Sequence, residues 1–223
     1  MDRVADLPVA AVLPAVAAVL LAVPRRPWRV LRTVITIAHE GGHVVVALLA
    51  GRRLAGIRLH SDSSGVTLSR GRPTGPGMVA TAFAGYVTPS LLGLLTAALI
   101  DAGQYALPLA AGVGLLAAML IATRTIFGVL AIVVTGATLV AVRWYTPDLV
   151  QYAGACLLAW FLLVGGLRAV VELQRTRRRG RSRDSDADQL ARLTAVPALI
   201  WVAAFALVAV GALAASIALL LRP

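Results

Sequence analysis

The stretch Trp28–Ala50 reads WRVLRTVITIAHEGGHVVVALLA. It is long and apolar enough to cross about 30 Å of hydrocarbon as a helix. Its middle holds His39-Glu40-Gly41-Gly42-His43, an H-E-x-x-H pattern. Residues four apart on a helix lie one turn above each other, so the two imidazoles face the same way. That geometry suits two nitrogens on one Zn²⁺, with Glu40 beside the metal as general base. A charge at mid-span costs about 2.5–3.5 kcal/mol on insertion scales, so Glu40 marks a functional site. Hydrogen bonding between helices is the plainer use of these three side chains.

Working outward, the 223 residues are 59% hydrophobic and 14% charged, against roughly 25% charged in soluble domains. This excludes a disordered chain, a collagen-like chain and an ordinary cytosolic enzyme. Cys156 is the single cysteine, so no internal disulfide forms; within a span it reads as a small apolar filler. The net charge is +11 and every basic residue is arginine. The arginines sit in loops beside apolar runs with few aromatics among them, which reads as membrane topology and not as nucleic-acid binding.

Seven apolar stretches follow one another: Leu7–Val23, Trp28–Ala50, Gly77–Ile100, Tyr105–Ala122, Ile126–Val142, Leu149–Val171 and Thr194–Leu221. The expected fold is an all-α polytopic membrane protein with about six or seven transmembrane helices. Residues 1–223 form a single membrane-embedded domain. The leader Met1–Asp6 is a poor signal-peptide n-region, so the first stretch is expected to be a retained span. Two polar segments interrupt the pattern. In 51–76, β-prone runs around Leu54, Ile57, Leu59, Val66 and Leu68 flank Ser61-Asp62-Ser63-Ser64-Gly65, which predicts a hairpin. In 174–192 an arginine run precedes Asp184, Asp186 and Asp188.

Seven crossings put Arg3, Arg124 and the arginines of 51–76 and 174–192 on one face. Arg25, Arg26, Arg29, Arg143 and Arg222 fall on the other. The positive-inside rule makes the first face cytoplasmic, with Trp28, Trp144 and Tyr145 at the outer interface. Arg168 and Glu172, four apart, read as a helix-face ion pair. Gly41 and Gly42 read either as close backbone approach or as routine small-residue packing. The stretch Gly85–Pro89 is expected to break the third span.

A catalytic zinc usually has three protein ligands and an open position. His60 lies in the hairpin and reads as an exposed strand residue. Asp101 and Asp148 flank spans on the far face, and Asp62 lies in the turn. Asp184, Asp186 and Asp188 lead into the last span.

Taken together, His39-Glu40-Gly41-Gly42-His43 in a span, Ser64-Gly65-Val66-Thr67 in the hairpin and Phe83-Ala84-Gly85-Tyr86-Val87 resemble the site-2-protease-like membrane metallopeptidases. Ser185-Asp186-Ala187-Asp188-Gln189-Leu190-Ala191 fits their compact bacterial branch without a PDZ domain. The resemblance covers most of the chain after residue 30. In that family an aspartate at the start of a late helix is the third zinc ligand, usually followed by two glycines. This implies Asp186 as ligand beside His39 and His43. Asp188 stands where a glycine would and is the alternative; helix capping by Ser185 or Asp186 needs no metal. The resemblance implies a Zn²⁺-dependent intramembrane protease in the bacterial cell membrane, acting on a transmembrane protein substrate and bathed in membrane lipid. A non-catalytic zinc scaffold and a transporter with buried relays are the other classes. Nothing in the sequence speaks to oligomeric state.

Overall fold

The computed structural model describes residues 8–180 and 184–221. The leader Met1–Asp6, Arg3, Arg222 and, in the arginine run, Arg181 and Arg183 lie outside the described residues. Each of the seven apolar stretches carries a helix. In chain order the elements are α1 (Pro8–Ala22), α2 (Arg25–Leu49), β1 (Arg53–Leu59), β2 (Gly65–Arg70), α3 (Pro76–Asp101) and α4 (Ala106–Ala122). They continue with α5 (Ile126–Tyr145), α6 (Asp148–Arg178), α7 (Asp186–Thr194) and α8 (Ala198–Leu220). Among the described residues α3, α5, α6 and α8 are each long and apolar enough to cross a membrane. Helices α1 and α2 pass that test only together, as a pair bent by 103°, and α4 is a shorter apolar helix. The four long helices, with the bent pair taken as one span, give up to five candidate crossings among the described residues.

The bend has a local cause. Pro24 caps α2 in an extended conformation, and a proline disfavours helix in the residue before it. The seven-crossing layout is corrected here. The start of α2 does not lie opposite the arginine-rich end of α6. Arg25, Arg29 and Arg32 line the same cavity as Arg168, Arg175 and Arg179. Trp28 is buried with Arg168 stacked over its ring, 4.4 Å from the centroid, and so is no outer-interface anchor. Arg168 also bonds the carbonyls of Ala22 and Val23, and it pairs with Glu172 at 3.1 Å as expected from their spacing.

The hairpin pairs antiparallel from Arg53↔Arg70 to Leu59↔Gly65. Its turn is pinned locally. Asp62 Oδ1 accepts from Ser64 N and Ser64 Oγ at 2.9 and 2.6 Å, which holds the Asp62 carboxyl below its usual pKa. Ser63, at φ 61°, is held against α2 by Thr33 and Thr36. The far edge of β1 is satisfied by the link between α4 and α5. Arg124 N donates to Ile57 O at 2.9 Å, and Thr125 Oγ1 donates to Leu59 O at 2.7 Å. Ile57 and Leu59 are therefore buried, whereas Val66 and Leu68 on β2 are exposed.

Two further expectations change. Helix α3 is continuous through Gly85–Pro89, because Thr88 and its neighbours keep the surrounding turns bonded. The last apolar stretch does not start at Thr194. Ala195 adopts a left-handed conformation at φ 58° and Pro197 caps a new helix, so α7 and α8 are separate. Arg192 meets Asp184 at 3.5 Å at an exposed end and needs no route through apolar surroundings.

The core falls into three clusters. One joins α1, α6 and the distal halves of α3 and α8. A second joins the first halves of α3 and α8 with α7. The third joins the hairpin with α2, α4 and α5. The candidate site lies where α2, α3 and α7 meet.

Single cysteines in a Cys156→Ala background check the layout, since Cys156 is fully buried. Arg25→Cys and Thr176→Cys should react with a membrane-impermeant thiol reagent from the same side, and Tyr145→Cys from the other. Labelling of positions 25 and 176 from opposite sides would restore seven crossings.

Candidate active site

Helix α2 presents His39 and His43 one turn apart, as the spacing predicts. Their Nε2 atoms are 3.1 Å apart. The third member comes from α7: Asp186 Oδ2 lies 3.2 Å from His39 Nε2 and 3.3 Å from His43 Nε2. Among the described residues this is the group of side chains that could hold a metal ion. His43 Nδ1 lies 2.7 Å from the backbone oxygen of Thr81 on α3. A carbonyl only accepts, so Nδ1 carries the hydrogen and Nε2 presents its lone pair. Asp186 Oδ2 is buried and receives no well-formed hydrogen bond despite its two close neighbours. The His43 Nε2 lone pair thus faces a buried carboxylate oxygen, a repulsion that a cation between them relieves. A tetrahedral ion with bonds of about 2.0–2.1 Å has ligand–ligand edges of about 3.3–3.4 Å, close to the separations found. The residues fit a divalent metal.

Neighbouring elements hold the constellation. Gly85 on α3 lies against the imidazoles: a Cβ there would stand 2.5 Å from His43 Nε2 and 2.6 Å from His39 Cε1. The Tyr86 ring packs edge-on against His39, centroids 4.7 Å apart. At Gly42 a Cβ would strike Thr88 and the carbonyl of Ala84, so this glycine serves the approach of α2 to α3. At Gly41 a Cβ would stand 3.2 Å from the Met119 sulfur, a tight contact but with the far end of a flexible side chain.

Asp186 is placed by a capping box. Ser185 caps α7, its hydroxyl accepting from Asp188 N, while the Asp188 carboxylate accepts from Ser185 N at 3.2 Å. Asp188 also pairs with Arg177 on α6. Burial raises its pKa, but the Arg177 and Ser185 bonds outweigh this and hold it low. Asp188 is thus turned away from the histidines. Asp186 sits in the first turn of α7, where the helix dipole favours an anion. His60 is exposed in the hairpin turn, within 3.4 Å of Ser64 Oγ and away from the group.

Glu40, 2% exposed, points toward the hairpin. Its Oε2 accepts from Thr67 Oγ1 at 2.6 Å. Gly65 backs the same carboxylate so closely that no side chain fits there. A cavity of about 1130 Å³ reaches from the arginine-rich end of α6 and the hairpin turn to His39, Glu40 and Tyr86.

The profile of the family described as Peptidase M50B-like matches residues 12–216. The chain belongs to this family. It is the site-2-protease family that the motifs resemble, and its members are membrane metallopeptidases. The match spans α1 to α8 and takes in every residue of the site. No curated protein and no solved structure gives a match. Thr81, which orients His43, carried no signal in the sequence. Thr67, Gly85 and Tyr86 stood inside the resembling motifs without a role until the fold placed them.

Two substitutions test this assembly. Asp186→Asn should weaken metal binding by more than the roughly 10–100-fold typical of losing a second-shell partner. Asp188→Asn should keep the metal and cost about 1 kcal/mol of helix capping, read as metal content beside the thermal midpoint. Gly85→Ala should abolish metal retention while leaving helix content near wild type by circular dichroism. Full metal occupancy in Gly85→Ala would show that α3 does not set the imidazole positions.

Proposed function

We propose that the protein is a zinc-dependent intramembrane protease that hydrolyses peptide bonds of single-span membrane proteins. The observation carrying this reading is the convergence of His39 Nε2, His43 Nε2 and Asp186 Oδ2, all within 3.3 Å, beside Glu40 on a cavity. Two imidazoles and a carboxylate leave a fourth position open, the ligand pattern of catalytic zinc. Bound there, zinc supplies a Lewis acid and brings the pKa of a coordinated water toward 7.

The chain's own residues do the rest. Glu40 takes a proton from the attacking water, whose oxygen adds to the scissile carbonyl carbon. As the C–N bond breaks, Glu40 returns that proton to the leaving amine nitrogen. Thr67 anchors one carboxylate oxygen and so aims the other. The cavity supplies water from the arginine-rich end, which the positive-inside rule assigns to the cytoplasm. A helical substrate hides its carbonyls and must unwind locally. Strand β2 pairs only with β1 among the described residues, which leaves an edge for an added strand. This multi-pass protein works in a bacterial cell membrane on this reading, which the resemblance to the compact bacterial branch supports.

Glu40→Gln should retain zinc and lower cleavage about 10²–10⁴-fold. Zinc content and cleavage of co-expressed single-span reporters are measured side by side. Cleavage near the wild-type rate would remove Glu40 from the chemistry. Zinc binding without cleavage of any reporter by the wild-type protein would point to a scaffold.

A further inference from the structure

Arg25, Arg29, Arg32, Thr36, His39 and His43 recur at intervals of four and three residues along α2. That period makes one stripe down a helix, and the first five of these residues line the cavity. The stripe therefore runs from arginine to arginine and ends on the metal group. Across the cavity lie Arg175 of α6 and Arg179, the residue that follows that helix. Arginines with structural duties are paired: Arg168 with Glu172 and Arg177 with Asp188. Arg25, Arg29, Arg32, Arg175 and Arg179 have no ion pair among the described residues. The acidic residues on the wall are engaged elsewhere, Glu40 with Thr67, Glu172 with Arg168 and Asp184 with Arg192. Asp62 of the hairpin turn interacts with Arg32, and the approach to the site still carries an excess of positive charge.

We infer that this arginine-lined approach selects substrates carrying an acidic segment beside the scissile bond. The inference rests on the protease reading and names the substrate class for it. A peptide fits better than lipid head groups, because the stripe is continuous with His39 and Glu40 and is walled by the hairpin turn and α6. The cavity exceeds the roughly 300–1,000 Å³ of small-molecule pockets. Distance along the stripe fixes the position. From His39, Arg32 is seven residues away and Arg25 fourteen, or about 10 and 21 Å at 1.5 Å per residue. An extended chain covers about 3.3 Å per residue. The acidic side chains therefore belong roughly three to six residues from the cleaved bond.

The test uses the full chain in phosphatidylcholine vesicles, so that lipid of net negative charge does not compete. Fluorescent single-span peptides carry a juxtamembrane segment rich in glutamate, glutamine or lysine. Binding is measured to Glu40→Gln, and cleavage by the wild type is mapped by mass spectrometry. The glutamate peptide should bind roughly tenfold tighter than the glutamine peptide, with lysine weakest. Adding Arg29→Glu and Arg175→Glu should invert the order of glutamate and lysine, which misfolding would not do. Cleavage should fall three to six residues from a glutamate. Equal binding of the three peptides, or equal weakening of all three in the charge-reversed protein with metal retained, would overturn the inference while cleavage continued. The expected binding order with no peptide cleaved would instead remove the protease reading and leave acidic-segment recognition standing.

Discussion

His39 Nε2, His43 Nε2 and Asp186 Oδ2 face one another at 3.1–3.3 Å within a largely apolar bundle. A cation among them would turn that crowding into ligation, and the surrounding protein holds the three atoms in place. The rest of the structure can be read from that constraint. Two of the atoms come from one helix and cost only a spacing of four. The third has to be brought from about 140 residues away in sequence, so α7 must end its approach at a defined height. Ser185, Asp188 and Arg177 set that height by fixing the first turn of α7 to the end of α6. Helix α3 must then pass close enough for Thr81 to hold His43, and Gly85 is where its surface gives way to the rings.

A second requirement follows from placing irregular backbone among apolar helices. Unpaired backbone groups there cost several kcal/mol each, so non-helical chain is tolerated only where protein or water satisfies it. The hairpin meets this on three sides. Its strands pair with each other, the edge of β1 is occupied by 123–125, and its turn is bonded to Thr33 and Thr36. The edge of β2 remains, next to the carboxylate that Thr67 anchors. The local arrangement that supports Glu40 is therefore the same one that offers a substrate backbone somewhere to pair.

Much of this was legible in the chain. The pentapeptide, the hairpin bounds and the helical character of each apolar stretch follow from period and composition, which report local structure. Asp186 was reachable only through resemblance, because the residues alone left it level with Asp188. Their difference lies in which one Arg177 and Ser185 occupy, a tertiary fact. The direction of α2 was misread. Length and apolarity allow a crossing, but whether a helix stands upright or bends away depends on what packs beside it. Here Pro24 allows the 103° bend, and Trp28 and Ile35 pack on Gly165 of α6. The stripe of Arg25, Arg29 and Arg32 shows as a period in the sequence, but a seven-crossing layout puts Arg25 and Arg29 on the opposite face and so separates them from the site.

That bend also resolves an energetic difficulty. Were α2 a simple crossing, Arg29 and Arg32 would approach hydrocarbon, where an arginine near the centre of a span costs about 2.5–3.5 kcal/mol. Turned at Pro24, the helix keeps both on the wall of the cavity that Arg175 of α6 also lines. Charge asymmetry sharpens as a result: Arg143, stacked on Trp144 at 5.3 Å from the ring centroid, is the described arginine left at the far end of the bundle. Like charges gathered around one opening repel one another, and the described carboxylates nearby are already engaged. Such a collar is relieved only by counterions or by an anionic visitor. The bend that lets a charged helix approach the site thus also leaves positive charge gathered on the way to Glu40.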